Sequence, residues 1–225
     1  MRPYHKISII ESGELLVKIP LELFAVETPH PYESLGANYG QHSPYFLRET
    51  VVKKLIAAQN YLHSLHPGWY IQIFDAYRPV DVQQFMVDYS FAQALGEQGI
   101  DESDLSPQEL GEIWQKVYDI WAVPSLDMKT PPPHSTGAAV DITLVNNYGE
   151  VVNMGSPIDE MSERSYPDYF ADKNPEFHRL RQLLNDVMIH VGFQRNPREW
   201  WHFSYGDQMW AWLSNQTTAY YGRWS

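Results

Sequence analysis

Asp141 sits in the middle of an apolar run, Ala138-Ala139-Val140-Asp141-Ile142-Thr143-Leu144-Val145. The β-branched content of this run predicts a strand, followed by a turn at Asn146-Asn147-Tyr148-Gly149. A carboxylate among Val, Ile and Leu is costly to bury unless it is paired or bound to a metal. The strand can therefore enter a core only in a fold that brings Asp141 a partner.

Two segments offer one. Upstream, Pro131-Pro132-Pro133 breaks the chain ahead of His134, which places that histidine at a loop-to-strand junction. Gly137-Ala138-Ala139 then lets the backbone pass close to something bulky. Downstream stands Glu199-Trp200-Trp201-His202. Together these segments supply two imidazoles, one carboxylate for a metal, and a second carboxylate beside the last imidazole. A catalytic zinc site needs the same inventory: three protein ligands, an open position and a base that does not bind the metal.

Each half also has an ordinary explanation. His134 and Asp141 could form a hydrogen bond inside a sheet. Glu199 could lie on the surface, with His202 and the two tryptophans in the core. Glu199 and His202 would share a helix face but point to opposite faces of a regular strand. A strand there requires a bulge, a twist or a start just after Glu199, and Asn196-Pro197-Arg198 favours the late start. Arg78 follows Tyr77 and precedes Pro79, which disfavours helical geometry at the arginine. It suits either a salt bridge to Asp75 or Asp81, or a guanidinium aimed at a developing oxyanion. His5, His30, His42, His63, His66, His178 and His190 fall in no matching pattern and read as surface or helix-face residues. Tyr32, Tyr39 and His42 lie where they could line a pocket.

The remaining chain predicts an α+β fold, a single domain over residues 1–225 with a central, mainly antiparallel sheet flanked by helices. A short strand is expected at 14–19, a long loop at 28–44 and a helix at 45–65. A strand at 69–75 precedes a helix at 80–95. Ser106-Pro107-Gln108-Glu109 reads as a capping box with proline at the first helical position. Asn174-Pro175 opens another helix that runs to Gly192, followed by a strand at 200–205 and a short helix at 208–213.

The formal charge of -12 and the lack of a Lys/Arg stripe argue against nucleic acid as a partner. With no cysteine, disulfides and thiolate zinc sites are excluded, so any zinc must be held by nitrogen and oxygen. No apolar run suits a membrane span, and the first twenty or so residues lack the apolar stretch of a signal peptide. The expected compartment is the cytoplasm.

Several segments resemble one family in order along the chain. Asp75-Ala76-Tyr77-Arg78-Pro79, His134-Ser135-Thr136-Gly137-Ala138-Ala139-Val140-Asp141-Ile142-Thr143-Leu144 and Glu199-Trp200-Trp201-His202-Phe203 are similar to motifs of the D-alanyl-D-alanine dipeptidases. These are zinc enzymes related to the vancomycin-resistance dipeptidase. Met154-Gly155-Ser156, Met161-Ser162-Glu163-Arg164-Ser165 and Asn38-Tyr39-Gly40 add to the resemblance, which covers most of the chain.

The resemblance implies the zinc D,D-peptidase fold and one Zn2+ per chain, held by His134, Asp141 and His202. It implies Glu199 as general base and acid toward a zinc-bound water, Arg78 as the oxyanion's partner, and a D-Ala-D-Ala dipeptide as substrate. Pro133 departs from the pattern, because the best-known members carry Ser there; this bears on substrate preference. The rival expectations are a zinc D,D-carboxypeptidase or peptidoglycan endopeptidase, and a zinc-stabilised binding module without catalysis.

Overall fold

The computed structural model describes residues 2–224. Its strands are β1 (Ser8–Ile9), β2 (Leu16–Lys18), β3 (Ala25–Val26), β4 (Phe46–Arg48), β5 (Tyr70–Asp75), β6 (Ala139–Val145), β7 (Gln194–Arg195), β8 (His202–Ser204) and β9 (Thr218–Ala219). Its helices are α1 (Pro31–Ser34), α2 (Glu49–Leu65), α3 (Val80–Gln98), α4 (Pro107–Ile120), α5 (Pro175–His190) and α6 (Gln208–Leu213). The principal sheet has the order β3-β5-β6-β8-β7, and only the β3–β5 pair within it is parallel. The fold is α+β with a mainly antiparallel sheet, as the sequence predicts. No helix among the described residues is long and apolar enough to cross a membrane.

β6 is buried along its whole length. Its two faces differ in chemistry. Val140, Ile142 and Leu144 share a core with Ile71, Ile73 and Phe203 and with the apolar sides of α2 and α5. Asp141 and Thr143 alternate with these residues and so look the other way. On that second face a separate cluster joins α3 and α4 through Val82, Met86, Val87, Ile113, Val117 and Trp121, with Tyr32 and Tyr39 from the 28–44 segment.

The β5–β6 register explains how a polar site forms on this face. Ile73 pairs with Ile142, yet the next partners along β5 and β6 are Asp75 and Asp141, with an irregularity at Phe74. An unbroken ladder would set Phe74 against Asp141 and return Asp75 to the apolar side. The extra residue instead turns Asp75 onto the face that carries Asp141.

The helix starts follow the sequence signals. Ser106 Oγ accepts from the Glu109 amide while Glu109 Oε2 accepts from the Ser106 amide, at 3.3 and 2.9 Å. Asn174 caps α5 through the amides of Glu176 and Phe177. One boundary needs correction. The helix expected from Tyr45 begins at Glu49, because Phe46–Arg48 pairs with β2 as a strand. That pairing delivers buried Arg48, whose Nε donates to the Thr136 carbonyl at 2.8 Å and whose amide donates to the Gly137 carbonyl at 2.8 Å. Arg48 thus braces the turn that carries His134.

Candidate metal and active site

Three elements bring the candidate ligands together. His134 lies in a 3-10 turn, Pro133–Thr136, and not at a simple loop-to-strand junction. Gly137, at φ +70°, turns the chain from there into β6 and Asp141. His202 opens β8 and is the register partner of Asp141. The late strand start is the arrangement observed: Glu199 lies before β8 and is free of its alternation.

His134 Nδ1 lies 2.7 Å from the Ala76 carbonyl. A carbonyl only accepts, so Nδ1 carries the hydrogen and Nε2 presents a lone pair. That Nε2 is 3.1 Å from His202 Nδ1 and 3.2 Å from Asp141 Oδ2. His202 Nδ1 is in turn 2.9 Å from Asp141 Oδ1. One donor atom from each of the three residues lies within 4.8 Å of the other two.

Acceptors crowded this closely are held together only by a shared positive charge, whether a proton or a metal cation. Two imidazoles and a carboxylate suit zinc, so the residues present fit the ion. Burial raises the Asp141 carboxyl, but His134 and His202 outweigh it and hold it well below the carboxylate range. Burial lowers His202, and the hydrogen bond and charge of Asp141 reverse that to a net rise. A metal entering here competes with protons.

Glu199 stands apart from the three ligands. Its Oε2 is 3.8 Å from His202 Nδ1. The residue is 6% exposed, and burial, opposed by His202 and reinforced by Asp141 and Asp159, pushes its carboxyl up to about 8. A carboxyl so placed can hold or release a proton near neutrality.

Arg78 is buried and multiply held. The salt bridge to Asp75 exists, with Nη2 2.8 Å from Oδ2. Nη2 also lies 3.3 Å from Asp141 Oδ2, and Nη1 donates to Gln83 Oε1 at 2.9 Å. The guanidinium carbon lies 4.8 Å from the Tyr32 ring centre and 5.0 Å from that of Trp121. The two readings of Arg78 are therefore compatible: it is ion-paired and it still lines the cavity.

That cavity, about 290 Å³, is bounded by His134, Asp141, Glu199 and His202 together with Arg2, Tyr4, Trp121, Pro133, Asp159 and Trp201, among others. The 28–44 segment contributes no wall, contrary to the expectation that it could. Tyr39 instead donates to Asp75 Oδ1 at 2.9 Å, and Tyr32 donates to Asp159 Oδ2 at 2.8 Å while accepting from Arg78 Nη2 at 3.0 Å. These tyrosines brace the Arg78 network from behind.

Sequence reasoning missed three residues here, Arg2 on the cavity wall among them. His30, expected at the surface, is 2% exposed and its Nε2 lies 3.3 Å from Asp75 Oδ1. Asp159, at φ +64°, has its carboxyl raised to about 7 by burial and the nearby Asp141, against Arg78 and the Tyr32 hydrogen bond. The only local signal for His30 is the Pro31 that follows it, which marks a helix start capped by the imidazole. Asp159 carries no periodicity or cap that singles it out.

The sequence model of the Peptidase_M15 family, described as D-ala-D-ala dipeptidase, matches residues 26–221. A D-alanyl-D-alanine dipeptidase of Synechocystis sp. is 47% identical, with 99% of this chain and 97% of that protein covered. A D-alanyl-D-alanine dipeptidase of Escherichia coli is 37% identical over 51% of this chain and 58% of its own. Among solved structures, a vancomycin-resistance D,D-pentapeptidase VanY mutant in complex with Zn(II) aligns with a TM-score of 0.49 at 15% identity, covering 96% of each chain.

Proposed function

The chain belongs to the Peptidase_M15 family of D-Ala-D-Ala dipeptidases, and from that premise we propose that its single domain, residues 1–225, hydrolyses D-alanyl-D-alanine to two D-alanines with one bound zinc. The observation that carries this reading is the convergence of His134, Asp141 and His202 on one point of the cavity wall, with Glu199 beside them but outside the ligand set.

His134, Asp141 and His202 would hold the ion. When bound, zinc supplies Lewis acidity toward the scissile carbonyl and toward water. Glu199 takes the proton of the attacking water as the C–O bond forms. As the C–N bond breaks, Glu199 returns that proton to the leaving nitrogen, so that it departs as the amine of free D-alanine. Its burial keeps the proton within the site between the two events. Arg78 places fixed positive charge near the developing oxyanion, and its bonds to Asp75, Gln83 and Tyr32 mean that little reorganisation is needed. Asp159, the cavity carboxylate held by Tyr32, suits the substrate's ammonium.

A dipeptide panel of defined stereochemistry, with and without chelator, tests this function. D-Ala-D-Ala should be cleaved, the activity should vanish with chelation, and zinc should restore it. Faster cleavage of a muropeptide ending in D-Ala-D-Ala would favour the carboxypeptidase reading instead. Stoichiometric zinc with no turnover on any D- or L-dipeptide would favour a binding module.

A further inference from the structure

An enzyme that acts on a free dipeptide must satisfy a carboxylate within the same cavity that holds its reactive groups. Three arginines line that cavity: Arg2, Arg78 and Arg198. Arg78 is taken up by Asp75, Asp141, Gln83 and Tyr32. Arg198 Nη1 is paired with Asp119 Oδ1 at 2.6 Å, at a half-exposed rim position. Arginine ion pairs among the described residues involve Arg48, Arg78, Arg164 and Arg198, and Arg2 is in none of them.

Arg2 is nevertheless partly buried and anchored. Its Nη2 donates to the Tyr118 carbonyl near the end of α4, while Pro3–Lys6 forms a 3-10 turn with Tyr4 buried beneath it. The Tyr118 carbonyl takes one Nη2 hydrogen, and the other, with Nε or Nη1, leaves a parallel pair of donors that matches a carboxylate. Arg2 lines the same cavity as His134, Glu199 and His202. Asp159, suited to the substrate's ammonium, lines the same cavity and accepts from the Tyr32 hydroxyl.

We infer that Arg2 binds the C-terminal carboxylate of the substrate, so that the N-terminal segment selects for dipeptides with a free carboxyl end. This assignment rests on the dipeptidase reading above. It gives the N-terminal turn a recognition role that the metal motifs do not require. A partly buried guanidinium without an anion is an unfinished ion pair, and the substrate would complete it.

The test compares D-Ala-D-Ala with its C-terminal amide in the zinc-loaded wild type, Arg2→Ala and Arg2→Lys. The wild type should prefer the free acid. Arg2→Ala should lower kcat/KM for the acid by about 10- to 100-fold, mainly through KM, the range for a lost hydrogen bond to a charged group. Its kcat/KM for the amide should hardly change, so the acid preference collapses. Arg2→Lys keeps the charge without the fork and should recover part of that preference. Zinc content and thermal stability, measured alongside, separate a recognition defect from loss of fold. An unchanged acid-to-amide ratio in Arg2→Ala would overturn the Arg2 assignment alone. A wild type that cleaves neither compound would overturn the dipeptidase reading, and this inference with it.

Discussion

Asp75 and Asp141 face each other as cross-strand partners, and Arg78 Nη2 lies 2.8 Å from one carboxylate and 3.3 Å from the other. Like charges directly opposite in a sheet are destabilising. The guanidinium is a counter-ion shared by both: against burial, Arg78, His30 and His134 together hold the Asp75 carboxyl below its ordinary value, while His134 and His202 do so for Asp141. In metal-free protein, Arg78→Ala leaves two buried carboxylates short of a cation and should cost about 3–5 kcal/mol. Urea denaturation of chelated wild type and variant measures it, and equal stabilities would deny Arg78 the counter-ion role. In zinc-loaded protein, turnover should fall about 100-fold or more if Arg78 also meets the oxyanion.

Glu199 and His134 should fail in different ways. Glu199→Ala removes a base that is no ligand, so zinc is retained while kcat drops by about 10²–10⁴-fold. His134→Ala removes a donor whose orientation is fixed by Ala76, so the metal itself should be lost. Metal analysis of purified protein, paired with turnover of D-Ala-D-Ala, reads both outcomes. An active Glu199→Ala variant would sink the assignment of the base.

Asp159 should leave a mark on the pH dependence of stability. Its carboxyl keeps a proton up to about pH 7 in the fold, whereas the ordinary value is 3.8. Between these values the native state binds more protons than the unfolded chain. Stability contributed by this group therefore falls as pH rises through the window, and the loss is complete above pH 7. Asp159→Asn has nothing to ionise. In metal-free protein, Tm of the wild type should decline relative to Asp159→Asn between pH 5 and 8. Parallel curves would contradict the raised carboxyl.

The parts of this site that could be read from the sequence are those written in local chemistry. Asp141 stood out because its neighbours are apolar, and Ser106 and Asn174 announced their helices through side chains that bond amides a few residues on. The irregularity at Phe74 could not be foreseen, because it is defined only against β6. For the same reason Asp75 looked like the plain end of a strand. His30, Asp159 and Arg2 reach the cavity or its support through long-range closure, and apart from the Pro31 that marks His30 as a helix start, nothing in their immediate neighbourhoods singles them out.

Gly137 links the two metal-ligand elements and supplies the last test. Its φ of +70° lies in the left-handed region, which costs an L-residue such as alanine about 1–2 kcal/mol. A Cβ there would also come within 2.2 Å of Leu16 Cδ2, and 3.5 Å from the Arg48 amide nitrogen. The first contact is with the far end of a side chain that can turn aside; the backbone strain cannot be relieved that way. Asparagine has the same Cβ but tolerates the left-handed region better. If strain dominates, Gly137→Ala should be less stable than Gly137→Asn in urea denaturation, and it should also bind zinc more weakly because His134 and Asp141 shift relative to each other. If the Leu16 contact dominates, the two variants should be equally destabilised, and trimming Leu16 to alanine should narrow the gap between each variant and its matching glycine background.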